Sequence, residues 1–198
     1  MKIIFATANP GKLREAAEIL GDGYELVTPA QMGITEDIPE TGSTLRANSL
    51  QKAEYIYRKT GMDCFADDSG LEVDVLGGAP GVETARYGGP SRNSKANMAK
   101  LLREIALHGA DAPRTARFRT CVTLLVGGQP HFFDGVMEGS IAHEPHGEGG
   151  FGYDPIFIPD GYSNTNGELG EEVKNTISHR FKALHAMAAF LKNDKGNH

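Results

Sequence analysis

Several features are scarce in this chain, and each absence excludes a class of protein. Its 198 residues include only two cysteines, Cys64 and Cys121, and neither lies in a CxxC pair. Two isolated thiols indicate buried packing in a reducing compartment. No stretch approaches the roughly 18 apolar residues of a membrane span, and the apolar run over residues 2–6 is too short for a signal peptide. We therefore expect a soluble, cytoplasmic protein with no membrane partner.

An excess of basic residues is also missing. Lys and Arg total 20 against 26 Asp and Glu, which gives a net charge of −6. This balance lacks the basic footprint of a duplex-binding domain, so we expect no nucleic-acid partner. A small anionic ligand remains compatible with it, because local charge can oppose the net charge. The ordinary share of hydrophobic residues, 39%, excludes a disordered chain.

Glycine, by contrast, is abundant, and the pattern along the chain alternates between strands and helices. The 25 glycines cluster in short stretches, which favours shaped loops over flexible linkers. An apolar strand precedes a helix that begins at Pro10, and residues 116–126 and 130–139 form a predicted hairpin around Gly127-Gly128. The pattern predicts an α/β fold with a mixed sheet. No repeat or linker interrupts residues 1–198, so we expect one domain.

The first candidate motif lies between the first strand and the first helix. It consists of Thr7, Ala8, Asn9, Pro10, Gly11 and Lys12. Asn9 suits the N-cap and Pro10 the first helical position. The N–H groups and the dipole of a helix start favour a phosphate, and Lys12 adds positive charge. Ala6 and Leu13 depart from the P-loop pattern, and an ordinary capped helix start remains the alternative.

The second candidate motif is a pair of adjacent carboxylates, Asp67 and Asp68, followed by Ser69-Gly70. We expect them at the end of a short strand over residues 64–66. Adjacent carboxylates repel each other, so a nearby cation would stabilise both as anions. Oxygen ligands suit Mg²⁺, which shares substrate phosphate oxygens. A solvated turn is the alternative, because Asp, Ser and Gly all favour turns.

The third motif is the glycine-rich loop over residues 147–155, which contains Phe151, Tyr153 and Asp154. Its formal GxGxxG pattern is not a dinucleotide fingerprint, because no strand precedes it and Pro155 prevents a helix from opening directly. What remains is an aromatic pair on a glycine hinge beside a carboxylate. Exposed, the pair would stack on a base; buried, it would belong to the core. The sequence leaves both interpretations open.

The fourth motif surrounds the start of the last helix, predicted over residues 178–192. It includes Lys174, Ser178, His179 and Arg180. Cations at a helix start oppose the helix dipole, at a cost of a few tenths of a kcal/mol to about one. Such a cost favours a bound anion or an acceptor atom on a ligand. The alternative is a basic, solvated turn.

The motifs occur together in an order that resembles the inosine triphosphate pyrophosphatase family. The matching segments are Thr7–Lys12, Glu40-Thr41-Gly42, Ala66–Leu71, Gly77–Tyr87, Gly149–Pro155 and Lys174–Arg180. Each segment alone is weak evidence for the family, but the ordered set covers nearly the whole chain and is specific for it. The chain departs from the family pattern at Asn166-Gly167 and at Val173.

The resemblance implies a fold, a reaction and an assembly. The fold is two lobes around a long mixed sheet with flanking helices, and the active site occupies the cleft between the lobes. The reaction is Mg²⁺-dependent hydrolysis of the non-standard nucleoside triphosphates ITP, dITP and XTP to the monophosphate and pyrophosphate. The implied assembly is a homodimer. Two alternatives remain: a related pyrophosphatase for modified pyrimidine nucleotides, and a nucleotide sensor without catalysis.

The resemblance also implies roles for individual residues. The segment Thr7–Lys12 would hold the triphosphate. Asp68 would be the catalytic carboxylate and a metal ligand, with Glu40 as a second ligand, and Ser69 would touch the substrate. The implied residues of the base and sugar pocket are Phe151, Gly152, Tyr153, Asp154, Lys174, His179 and Arg180.

Overall fold

The computed structural model describes residues 1–195, which form six strands and six α-helices joined by loops and short 3₁₀ turns. The strands are β1 (Lys2–Phe5), β2 (Glu25–Val27), β3 (Cys64–Val73), β4 (Thr115–Val126), β5 (Gln129–Ile141) and β6 (Phe157–Pro159). The helices are α1 (Pro10–Leu20), α2 (Leu45–Thr60), α3 (Ser94–Ala106), α4 (Asn166–Leu169), α5 (Glu171–Ile177) and α6 (His179–Lys195).

The six strands form one mixed sheet in the order β2-β1-β3-β4-β5-β6. Strand β1 runs parallel to β2 and β3, whereas β6 runs antiparallel to β5. Parallel neighbours need crossover connections, which helices α1 and α2 supply. The mixed α/β class predicted from the sequence is therefore confirmed.

Local signals explain where the first two long helices begin and end. Asn9 caps α1, and its side chain accepts hydrogen bonds from the N–H groups of Gly11 and Lys12. Thr44 caps α2, which ends at Gly61 with a φ of 64°. This left-handed conformation suits glycine because it has no Cβ. The start of α1 at Pro10, predicted from the sequence, is therefore confirmed.

The predicted break after residue 66 is wrong. Strand β3 continues without interruption through Asp67 and Asp68 to Val73. Both aspartates are buried, with relative exposures of 0% and 8%. Turn-forming residues can occupy a strand here because buried cations from neighbouring helices bind the carboxylate of Asp67, which water would bind in a solvated turn. The short elements β6, α4 and α5 were not predicted, since three to seven residues show too little periodicity.

The chain divides into two compact units, each with its own core. The first comprises Met1–Asp68, Thr120–Gly135 and the chain from His179 onward; the second comprises Ser69–Arg119 and Val136–Ser178. In the first unit, Phe5 stacks on Phe65 at a centroid distance of 4.4 Å. One apolar cluster of that unit joins β1 to α1 and α6, and another joins it to α2.

The core of the second unit forms around the buried face of α3. Leu101 and Ile105 of this helix are fully buried, and they belong to one cluster with Leu71, Phe118 and Phe157 of the strands. Within residues 1–195, no helix combines the length and the apolar content that crossing a bilayer requires.

Both cysteines are free and buried in the first unit, so we expect them to be unreactive in the folded protein. Burial raises the pKa of Cys64 to about 12 and the pKa of Cys121 to about 11. Because the thiolate is the reactive form, Ellman's reagent should label neither thiol of the native protein at mildly alkaline pH. Both should react once guanidinium chloride unfolds the chain. Rapid labelling of the native protein would contradict this prediction.

Candidate active site

The first group of candidate residues surrounds the carboxylate of Asp67 in the first unit. Lys12 Nζ lies 3.2 Å from Asp67 Oδ1, and Arg180 Nε lies 3.2 Å from Asp67 Oδ2. Lys52 Nζ donates a hydrogen bond to the backbone carbonyl of the same residue. Arg180 also forms an ion pair with Glu15. Three cations from α1, α2 and α6 thus converge on one buried residue of β3, two of them on its carboxylate and one on its backbone carbonyl.

The two adjacent carboxylates have opposite pKa shifts. Burial works to raise the pKa of Asp67, but attraction from Lys12, Arg180 and Lys52 outweighs it and holds the pKa below its usual range. For Asp68, burial dominates and raises the pKa despite the same two lysines. Two carboxyl groups whose environments push their pKa values apart are typical of a site with divided roles. Asp67 is a fixed anion, whereas Asp68 is the more basic of the two.

Asp68 and Glu40 are joined through one lysine. Lys52 Nζ lies 2.7 Å from Glu40 Oε1 and 4.0 Å from Asp68 Oδ1. Burial alone would lower the pKa of Lys52, but attraction from Asp67, Asp68 and Glu40 raises it. The lysine is therefore a stable cation within this cluster.

The chemistry of this carboxylate pair fits a hard metal ion. Asp68 Oδ2 is buried and has no hydrogen-bond partner among the described residues, which leaves an acceptor oxygen for a cation. Within residues 1–195, no three His, Cys, Asp or Glu side chains converge as a complete ligand set. Mg²⁺ takes one or two carboxylates and completes its shell with water and substrate phosphate, and Asp68 and Glu40 are two carboxylates beside one lysine.

The start of α1 presents Lys12 rather than free backbone donors. Asn9 Oδ1 accepts from the N–H groups of Gly11 and Lys12 at 2.9 and 3.2 Å. Ala8, Asn9 and Pro10 themselves are exposed, and Thr7 is partly exposed. Burial lowers the pKa of Lys12, although Asp67 opposes this effect. The capping expected from the sequence is confirmed, and it uses two of the N–H groups that the phosphate interpretation had invoked.

The start of α6 is buried, so the alternative of a solvated basic turn is wrong. His179 and Arg180 have relative exposures of 4% and 1%. A close backbone approach fixes their position, because a Cβ added to Gly135 of β5 would lie 1.9 Å from the carbonyl oxygen of His179. Only glycine fits at that point of the strand.

Gly135→Ala is therefore expected to displace the first turn of α6 and to lower the free energy of unfolding by about 1–3 kcal/mol, the usual cost of overpacking. Chemical denaturation measures the loss. Gly23→Ala is the matched control, because its added Cβ meets no atom within 4 Å. Equal stability of the two variants would show that the strand and the helix separate without cost.

The second group of candidate residues lies in the second unit and is built around Asp154. Asp154 Oδ2 accepts hydrogen bonds from Lys174 Nζ at 2.7 Å and from the N–H of Phe151 at 2.9 Å. Lys174 Nζ lies 4.6 Å from the centroid of the Phe151 ring. Asp154 and Lys174 are each 2% exposed, while Phe151 is partly exposed. The hinge Gly152 has a φ of 61°.

The open question about the aromatic pair has a different answer for each ring. Tyr153 is 4% exposed and packs in the core of its unit. Its hydroxyl donates to the carbonyl of Thr84 at 2.7 Å. Phe151 is partly exposed, whereas the ring of Tyr153 belongs to the core.

The structure brings the candidate residues together in two separate sets. Lys12, Asp67, Asp68 and Arg180 meet in the first unit, and Phe151, Asp154 and Lys174 meet in the second. Ser69 follows Asp68 along β3 and is partly exposed. A cavity of about 430 Å³ in the second unit is lined by other residues, including Arg114, His143, His146 and Thr165.

Sequence reasoning missed two charged members of the first set, Glu15 and Lys52. Glu15 is fully buried on α1, four residues after the buried Gly11. Lys52 lies on α2 between the buried Asn48 and Ile56, at the spacing of one helical face. A charged residue on a buried helical face needs a partner. The position of Glu15 and Lys52 on the buried face of a predicted helix was therefore the signal in the sequence that could have revealed them.

Comparison with known proteins identifies the family. The model of the Ham1 family matches residues 3–190. A dITP/XTP pyrophosphatase of Porphyromonas gingivalis is 50% identical over 190 residues, which cover 96% of this chain and 97% of that protein. This chain belongs to the Ham1 family. The resemblance inferred from the sequence motifs is therefore confirmed.

Solved structures support the same assignment of this Ham1-family chain. A Ham1 protein of Staphylococcus aureus has a TM-score of 0.86 at 35% identity and covers 98% of this chain and 100% of that one. One from Coxiella burnetii has a TM-score of 0.87 at 36% identity, with coverages of 98% and 99%. The α/β fold is thereby confirmed. The enzyme class, a hydrolase acting on phosphoric anhydrides, is confirmed by the relatives that are dITP/XTP pyrophosphatases.

Proposed function

We propose that this Ham1-family enzyme hydrolyses ITP, dITP and XTP to the nucleoside monophosphate and pyrophosphate, and so removes non-standard purines from the nucleotide pool. One observation carries the proposal: Lys12, Lys52 and Arg180 gather on Asp67, next to Asp68 with its buried, unpartnered oxygen. Such a cluster offers positive charge to a polyanion and a carboxylate to the attacking water. The relatives named dITP/XTP pyrophosphatase supply the choice of nucleotide.

The proposed cofactor is Mg²⁺, held by Asp68 and Glu40. When bound, it would neutralise the negative charge that develops on the leaving pyrophosphate. Lys52 lies next to both carboxylates and keeps them oriented. Asp67 already has cationic partners on both carboxylate oxygens, so we assign it to positioning Lys12 and Arg180 rather than to the metal.

The proposed chemical step is an in-line attack of water on the α-phosphorus. The water oxygen forms a bond to this phosphorus, and the bond from the α-phosphorus to the oxygen bridging to the β-phosphorus breaks. Pyrophosphate leaves with the electron pair, and the water proton passes to the carboxylate of Asp68. A carboxylate beside the attacking water serves as its general base. Lys12 and the exposed residues of the α1 start hold the triphosphate in line.

The proposed base contacts belong to the second group. Phe151 stacks on the purine, while Lys174 offers a donor to the oxygen at position 6 of hypoxanthine or xanthine. Adenine carries an amino donor at that position, so the same contacts would bring donor against donor. A site built on hydrogen bonds discriminates by about 10⁴ or more in favourable cases.

The test is a product assay on ITP, dITP, XTP, ATP and GTP, with and without Mg²⁺, in which pyrophosphate is resolved from phosphate. We expect Mg²⁺-dependent release of pyrophosphate from the first three and little from ATP or GTP. Release of phosphate instead would contradict attack at the α-phosphorus. Tight binding of ITP without turnover would support a sensor, and preferential turnover of modified pyrimidine nucleotides would support the related pyrophosphatase.

We also propose that residues 1–198 act as one catalytic domain in a cytoplasmic homodimer. The match to relatives over 96% of this chain and 97% of theirs supports a single functional domain. Light scattering of the purified protein would measure the mass of the assembly. A monomeric mass at working concentration would contradict the homodimer.

A further inference from the structure

We infer that Asn166 is a positioning residue for purine selection: it fixes the carboxylate of Asp154, which in turn holds the ammonium of Lys174 beside the ring of Phe151. The inference rests on the proposed function, since it assigns the selectivity of that reaction to a further side chain.

The backbone that carries Asn166 is anchored to the glycine-rich loop. Thr165 Oγ1 donates to the carbonyl of His146 at 2.6 Å, and the N–H of Gly149 donates to the carbonyl of Gly167 at 3.0 Å. A Cβ added to Gly167 would lie 2.9 Å from the carbonyl oxygen of His146, so the two segments pack backbone to backbone. Asn166 is therefore presented to the loop from a fixed position.

The side chain of Asn166 completes the hydrogen bonds of Asp154. Asn166 is fully buried, and its Nδ2 donates to Asp154 Oδ1 at 3.2 Å. The other oxygen, Asp154 Oδ2, accepts from Lys174 and from the N–H of Phe151. With donors on both oxygens, the carboxylate cannot turn without losing a contact. The opposite amide orientation would place an acceptor against a carboxylate, so the donor must face Asp154.

The buried amide of Asn166 also has an unfavourable effect on the stability of the fold. Asn166 Oδ1 is buried and has no hydrogen-bond partner among the described residues. A buried acceptor without a partner loses its hydration without compensation. An apolar side chain of similar size would avoid that loss, and positions that break such a rule are expected at functional sites. The amide is thus explained by what its Nδ2 does for Asp154.

The consequence for selection follows from the position of Lys174. Its Nζ is bonded to Asp154 and lies over the Phe151 ring, 4.6 Å from the centroid, so that in the proposed function it lies next to the purine bound at Phe151. If Asp154 is free to turn, the ammonium of Lys174 moves with it and no longer lies where it can donate to the 6-oxygen. Discrimination between ITP and ATP then falls, whereas Asp68 and the cations of the first unit are unaffected.

The experiment compares Asn166→Leu with Asn164→Leu. For Asn166→Leu, we expect the ratio of kcat/KM for ITP to that for ATP to fall about tenfold, the upper range for one hydrogen bond. KM for ITP should rise with kcat little changed. The urea midpoint should change little, because removal of the unpartnered acceptor offsets the loss of one donor to the buried Asp154 Oδ1. Asn164 is exposed and bonds only weakly to Glu168, at 3.4 Å, so its variant should match the wild type.

A second variant and a binding measurement complete the test. Asn166→Asp keeps the shape but replaces the donor with an acceptor, so its selectivity ratio should fall as well. In both Asn166 variants, calorimetry should show weaker binding of IMP with no loss for AMP. A lower urea midpoint together with equal losses for ITP and ATP would indicate a merely structural role and overturn the inference.

Failure of the inference and failure of the proposed function give different results. A wild type that prefers ITP, with Asn166 variants that keep the full preference, would overturn the inference alone. A wild type that neither hydrolyses ITP nor binds IMP more tightly than AMP would overturn both.

Discussion

Asp68→Asn is expected to lower kcat for ITP by about 10³-fold or more, since it removes a general base, which typically contributes about 10²–10⁴-fold, and also a ligand of the proposed metal. The substitution keeps the size of the side chain. Asp68 Oδ2 makes no hydrogen bond within the described chain, so little of the folding energy depends on it. Pyrophosphate release under saturating ITP measures the loss, and a urea titration checks the fold.

The matched control for this variant is Asp160→Asn, the same chemical change at an exposed position after β6. It should retain the wild-type kcat and stability. If Asp68→Asn retained more than about a tenth of the wild-type kcat, general-base catalysis by this residue would be rejected, because even the low end of that effect is larger.

Arg180→Met is expected to reduce the free energy of unfolding by about 3–5 kcal/mol, the usual cost of removing one partner from a buried ion pair. Arg180 is 1% exposed, and its guanidinium contacts both Glu15 and Asp67. Burial works to lower the pKa of Arg180, but the two carboxylates outweigh it and raise the pKa. The variant leaves these buried anions with one cation fewer. Urea denaturation monitored by circular dichroism measures the loss.

Two comparisons separate this effect from a general effect of losing an arginine. Arg119→Met removes an ion pair with Glu72 at the surface, where the Arg119 side chain is 44% exposed, and should cost no more than about 1 kcal/mol. The double variant Glu15→Gln/Arg180→Met should recover part of the loss, because it also removes a buried negative charge. Equal losses for Arg180→Met and Arg119→Met would contradict the prediction.

Much of the local structure was predictable, because its causes lie within a few residues of each other. The capping side chains of Asn9 and Thr44 and the left-handed Gly61 mark helix ends through contacts that span one turn. The order of the motifs along the chain pointed to the family, and the family model confirms it. In the second unit, however, the sequence could not separate the partly exposed Phe151 from the buried Tyr153.

By itself, the sequence determined the α/β class, most helix boundaries and the family, and it singled out the candidate catalytic and binding residues. Only the tertiary structure decided that Asp67 and Asp68 continue a strand, and that one is a fixed anion and the other the more basic. The physical reason is distance along the chain. Lys12 and Asp67 are separated by 55 positions, and Glu15 and Arg180 by 165. Ion pairs between residues so far apart leave no local pattern in the sequence, yet they set the charge of each group.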